Sequence, residues 1–253
     1  MKRKQIFTAT LLCVTLFVPL SACSQNRDFV MDGTVLVKYN GNAENVTIPE
    51  GVTAIGSWVF SECYNLTTIT IPSSVTSIGE NAFDQCLSLT SVIIPEGVTA
   101  IGEWVFHDCR SLTSVSIPTS VTSIGEWAFR DCSNLTDITI PTGVTFIGEG
   151  AFAFCDSLTS LTIPANASLI GDGAFYGCIS LVYLTIQEGV ITIGNSAFAG
   201  NISLTSVTIP SSVASIGYSA FDWCENLRTV TVSRRTTIRD NAFPPTAQIT
   251  YSD

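Results

Sequence analysis

Residues 66–86 read LTTITIPSSVTSIGENAFDQC, and the same pattern returns every 23 residues along the chain. Prolines stand at 49, 72, 95, 118, 141, 164 and 210, with Gln187 in the one gap. Phenylalanines at 60, 83, 106, 129, 152, 175, 198 and 221 keep the same step, as do leucines from 66 to 227 and glycines from 56 to 217. A constant step held through eight copies specifies a solenoid, in which each unit packs on its neighbours alone.

Each unit can be read locally. Leu66 to Ile71 is rich in threonine and isoleucine, which suits a short strand ended by Pro72. Ile69 and Ile71 point inward, while Thr68 and Thr70 point outward. Val75 to Ile78 is a second short extended segment, and Gly79 permits a tight turn. Glu80 to Phe83 reads as a single helical turn with the acid near its start. The expected fold is therefore a β-rich solenoid of about eight 23-residue repeats. A parallel sheet lines the concave face, with short second strands and single-turn helices on the other side. No lone unit can bury its own apolar face, so stacking is obligatory.

The ends depart from the period. Phe29 to Val37 reads as a hairpin around Asp32-Gly33. That places an N-terminal cap at 29–48, the solenoid at 49–232, and an irregular last repeat with a cap at 233–253. Ile249 and Tyr251 supply a final strand there. Before the cap, Lys2, Arg3 and Lys4 precede an apolar stretch from Ile6 to Leu20, as in a secretory leader. The stretch ends in Leu20-Ser21-Ala22-Cys23, which resembles the lipobox of bacterial lipoproteins. The resemblance implies a signal peptide at 1–22, a diacylglyceryl group on the Cys23 sulfur, and a lipidated tether at 23–28. An ordinary signal peptide is the alternative reading.

Composition excludes several functions. Of the 253 residues, 46% are apolar and 13% charged, so the body of the chain folds rather than staying disordered. The net charge is −10, and without the three leader cations it is −13. Such a balance argues against nucleic acid as the main partner. His107 is the single histidine, which leaves little room for a Ser-His-Asp triad or a multi-histidine metal site. The expectation is a protein that is not an enzyme and carries no cofactor or metal.

Four sets of residues are candidate sites. The outward strand positions are Thr68 and Thr70, Ser91 and Ile93, Ser114 and Ser116, Asp137 and Thr139, Ser160 and Thr162, Tyr183 and Thr185, and Ser206 and Thr208. Repeat proteins usually bind along such a face, although threonine also stands there for its strand preference. Trp58, Trp104 and Trp127 share one register where other units carry Asn81, Gly150, Gly173, Ser196 and Ser219. They read either as an aromatic patch for a partner or as shields over neighbouring turns. Cys63, Cys86, Cys109, Cys132, Cys155, Cys178 and Cys224 form a ladder, broken by Asn201. Parallel side-chain vectors and a linear array suit buried thiols better than disulfides or zinc. Glu80, Glu103, Glu126, Glu149 and Asp172 make an acidic stripe. It reads as a repeated helix-start preference, or as a site for calcium or a basic partner.

The pattern Leu-x-x-Ile-x-Ile-Pro followed by Ile-Gly-x-x-Ala-Phe-x-x-Cys resembles the BspA-type leucine-rich repeats of bacterial surface proteins, over about residues 30 to 245. The resemblance implies a leucine-rich-repeat solenoid acting as a cell-surface binding or adhesion module. Its partner would be a protein, of the host matrix or of another bacterium, and the lipid anchor would hold it in a bacterial envelope. Two alternatives are a structural spacer without a specific ligand, and carbohydrate or ice binding by the hydroxyl-rich sheet.

Overall fold

The structure, a computed structural model, describes residues 27–252; the leader and Cys23 lie outside the described residues. Coil after coil winds around one core, and three sets of backbone hydrogen bonds tie each coil to the next.

The first set is the threonine-rich ladder. Asn45–Thr47, Thr68–Thr70, Ser91–Ile93 and Ser114–Ser116 pair in parallel, in the register Thr68↔Ser91 and Ser91↔Ser114. The register equals the sequence period because one coil advances the chain by one strand. Ser160–Ile163 and Tyr183–Ile186 form a second piece of the ladder. Ser206–Thr208, Thr229–Ser233 and Gln248–Ser252 form a third. The second set runs along the two-residue strands that precede each glycine. Seven of them, from Ala100–Ile101 to Thr237–Ile238, pair in parallel. At the N-terminal end Phe29–Asp32 folds back antiparallel on Val35–Tyr39, which continues in parallel to Ala54–Ile55.

The third set corrects the sequence reading. Glu80 to Phe83 forms no helical turn. Asn81 has φ 58° and Gln85 φ 57°, and the equivalent residues of the other coils share this left-handed conformation. Bonds of the i to i−3 kind do form, Ala82 to Gly79 and Asp84 to Asn81. A helix needs every residue at negative φ, so left-handed residues four apart turn the segment into successive tight turns. Their alternate N–H groups then face the next coil: Asn81, Phe83 and Gln85 donate to Glu103, Val105 and His107. The expectation failed because Glu-Asn-Ala-Phe has ordinary helix propensity, and the ladder to the neighbouring coil overrides it.

Between these ladders lies a continuous core. The rings of Phe60, Phe83, Phe106, Phe129, Phe152, Phe175, Phe198 and Phe221 are fully buried. They stack one on the next at 5.1–5.3 Å. Tyr39 continues the column at one end and Phe243 at the other.

Candidate functional site

The threonines of the sheet are of two kinds. Thr90, Thr113 and Thr136 each donate a side-chain hydroxyl to the carbonyl of the equivalent threonine one coil back. These hold the solenoid together. The outward hydroxyls differ. Thr68 donates to Asn45 of the neighbouring coil. Thr70, Ser91, Ser114, Ser116, Thr139, Ser160, Thr162, Thr185, Ser206 and Thr208 face solvent, and none of these hydroxyls is engaged by another described residue. Ile93 and Tyr183 project from this lattice, 73% and 72% exposed. Tyr183 stands directly beside Ser160.

The lattice is also open in two places. Residues 137–140 form no strand, and Asp137 keeps only a bridge to Ser114. The resulting cleft of about 320 Å³ is lined by Asp137, Thr139, Ser160, Thr162 and Gln187. A second cleft, of about 400 Å³, separates Thr185 and Ile186 from Ser206 and Thr208. Each cleft exposes strand backbone beside hydroxyls, where a ligand can reach donors and acceptors that a closed ladder would consume.

The three tryptophans are not one patch. Trp104 and Trp127 meet at 4.7 Å between ring centroids, and both are half-buried. The Trp127 indole lies where a side chain at Gly150 would stand. Trp58 is two coils away from Trp104 and 59% exposed. Trp104 also meets His107 edge-on at 4.6 Å. The His107 Nδ1 lies 2.7 Å from the nearly buried Asp84 Oδ1, and its Nε2 lies 3.8 Å from Asp131 Oδ2. This is a polar bridge across three coils. Among the described residues no cluster of three or more His, Cys, Asp or Glu is arranged to hold a metal ion.

The cysteine ladder is bonded to the backbone. Cys86, Cys109, Cys132, Cys155, Cys178 and Cys224 each donate a thiol to the carbonyl of a core phenylalanine in the preceding coil, at 3.1–3.4 Å. All seven ladder cysteines are free thiols, six buried and Cys63 half-buried. Burial pushes Cys63, Cys178 and Cys224 up to about 12 and raises Cys109, Cys132 and Cys155. Cys86 is raised first by its hydrogen bond with Cys109 and then by burial. Asn201 takes the same slot with its amide, donating to Phe175 and Phe198. Its Oδ1 is buried without a partner, an arrangement that costs about 1–3 kcal/mol. A thiol has no such second atom, which is a physical reason for cysteine at this position.

Grouping tryptophans by residue type missed a second aromatic cluster. The register two after the core phenylalanine reads Glu62, Gln85, Asp108, Asp131, Phe154, Gly177, Gly200 and Trp223. Its last four members, with Tyr176, Ile179 and Ile202, line an open groove of about 400 Å³ on the turn face. Two glycines flanked by two aromatics in one register was the signal in the sequence.

A family model described as BspA type leucine rich repeat region matches residues 37–158 and 146–252 in six copies. A search of curated proteins returns no match. Among solved structures, the chain is similar to a Treponema pallidum leucine-rich-repeat protein at 31% identity and a TM-score of 0.65, covering 70% of this chain and 88% of that one. A leucine-rich cell surface protein of Faecalibacterium prausnitzii aligns at 25% identity and a TM-score of 0.46, over 89% and 93%. The pneumococcal vaccine antigen PcpA aligns at 18% identity and a TM-score of 0.44, over 83% and 69%. The family model spans the coils from the N-terminal hairpin to the last strand, and this chain belongs to the BspA-type leucine-rich-repeat family.

Proposed function

We propose that this chain is a binding module displayed on a bacterial surface, and that it engages a protein partner through the threonine-rich sheet. One observation carries the reading: a lattice of unengaged hydroxyls from which Tyr183 and Ile93 project and which opens at Asp137. A bare spacer needs neither. Aromatic side chains that project from a polar face are the usual anchors of an interface. Membership of a family of bacterial surface proteins supports the surface location. Cys23, in its lipobox-like setting, is the proposed site of lipid attachment. Two acyl chains on one residue anchor stably.

The test is capture of partners from host matrix proteins and from whole bacteria, with the purified chain as bait. Tyr183→Ala is expected to weaken capture by about thirtyfold, the effect of truncating an aromatic anchor. It should move Tm little, since Ser and Thr occupy the position in other coils. Full retention by Tyr183→Ala and Ile93→Ser would exclude this face. In fractionated cells Cys23→Ala should leave the protein outside the membrane pool, and unchanged fractionation would remove the lipid anchor.

A further inference from the structure

We propose that the groove between Phe154 and Trp223 on the turn face seats an extended, basic and apolar peptide segment of a partner. An aliphatic side chain would lie over its glycine floor, and two cationic side chains, lysine or arginine, would lie one against Asp156 and the other against Glu225. The proposal rests on the reading of the chain as a protein-binding module and adds to it a second face with a defined chemistry.

The walls are the first argument. Phe154 has φ 60° and Trp223 φ 57°. Such a conformation strains any residue but glycine, and glycine fills this same register at 177 and 200. Trp223 is 65% exposed, so its indole returns nothing to the core. Every coil makes this left-handed turn, so what singles out these two is an aromatic kept where glycine would sit unstrained, and that points to a role at the surface. Phe154 is held in place by Tyr176, edge-on at 5.3 Å, and by the Arg130 guanidinium at 5.3 Å from its ring. The wall is therefore preorganised.

Dimensions are the second argument. Phe154 and Trp223 are three coils apart, and each coil advances by 5.1–5.3 Å along the phenylalanine stack. The groove is thus roughly 15 Å long, the reach of four or five extended residues. Ile179 and Ile202, 42% and 41% exposed, line it midway.

Charge selects the occupant. Asp156 and Glu225 lie at opposite ends of the groove, and neither carboxylate pairs with a cation among the described residues. Burial, and after it the charge of Asp131, push the Asp156 carboxyl above its usual range. The chain as a whole carries −10. An acidic or purely apolar segment would leave both carboxylates uncompensated, whereas two cations set among aliphatic side chains satisfy rim and floor together.

The probe is a fluorescein-labelled Gly-Ser-Lys-Leu-Lys-Ile-Ser-Gly peptide, titrated with the purified chain and read by fluorescence polarisation. Saturable binding that weakens with salt is expected. Glutamate in place of both lysines, or serine in place of leucine and isoleucine, should cost about tenfold or more. Trp223→Gly should also cost about tenfold while Tm stays level or rises, because glycine suits the left-handed backbone. Asp156→Asn with Glu225→Gln should remove the salt dependence, and Trp58→Gly should change nothing. No binding up to about 1 mM, equal binding of the glutamate peptide, or wild-type binding by Trp223→Gly would each overturn the proposal. So would Trp223-dependent binding to phosphatidylcholine vesicles in place of the peptide. If the groove fails while Tyr183→Ala still abolishes partner capture, the sheet-face reading survives alone. If neither face binds, both fall.

Discussion

Raising the pH above about 9 is expected to destabilise this protein strongly, with thiol oxidation prevented by reductant. The cause is the cysteine ladder. Each buried thiol holds its proton in the folded state at a pH where the unfolded chain releases it. The pKa is raised on folding, so the stabilisation is fully present below the unfolded value near 9. It is lost as pH climbs toward the folded value. Cys178 and Cys224, pushed up to about 12 by burial, span a window from about pH 9 to 12. Each loses about 1.4 kcal/mol per pH unit inside it. Cys86, Cys109, Cys132 and Cys155 are shifted in the same direction. By pH 10 the ladder removes several kcal/mol, a large share of the roughly 5–15 kcal/mol that holds an ordinary domain together. Urea midpoints between pH 7 and 10.5 would show a steep fall beginning near pH 9. Cys178→Ala should flatten the slope by about one proton. At pH 8 the six buried ladder cysteines of the native protein should resist a thiol reagent that modifies all seven after denaturation, with the half-buried Cys63 reacting first. A midpoint that stays level to pH 10.5, or rapid labelling of the native protein at more than Cys63, contradicts the buried ladder.

That ladder was readable because its cause is local and repeated. Phenylalanine, cysteine, leucine and proline recur at fixed offsets, and each copy reports the same buried slot. The turn face was harder. Glu80-Asn81-Ala82-Phe83 has nothing in its propensity to forbid a helix, and only comparison of coils reveals the left-handed sites. The register of Trp58 holds asparagine at 81, glycine at 150 and 173, and serine at 196 and 219, a set that suits positive φ. Reading that column as a conformational constraint, rather than as tolerance of small residues, would have placed Trp58, Trp104 and Trp127 on strained turns from the start. The groove at Phe154 and Trp223 was hidden because its walls are different residue types in one register. Of the two openings in the threonine sheet, the one after Tyr183–Ile186 carries a mark, Gln187 in place of the proline, and the one at Asp137 carries none in its alternation. Asp137 to Ile140 carries the same alternation as its neighbours and ends at the same proline. Whether a parallel ladder closes there depends on how two coils seat against each other.

Phe129→Ala is expected to destabilise the protein by about 3–5 kcal/mol, the usual cost of emptying a buried aromatic site. Phe129 is fully buried and lies in the middle of the ring column, 5.3 Å from Phe106 and 5.1 Å from Phe152. Truncation removes two stacked contacts and leaves a cavity that the flanking ladders keep from collapsing. In a solenoid the damage has a direction. Each coil is stabilised by its two neighbours, so a weak interface in the centre uncouples the halves. The N–H groups of Trp127, Phe129 and Asp131 bond to Glu149, Ala151 and Ala153. Hydrogen exchange at these three should rise before exchange at the ends of the rod does. Unfolding by urea should become broader, with a smaller m value as the halves melt apart. Phe129→Leu, which keeps most of the volume, should recover much of the loss. A cost below about 1 kcal/mol, or exchange that rises equally in every coil, would mean that the phenylalanine column does not carry the coupling between coils.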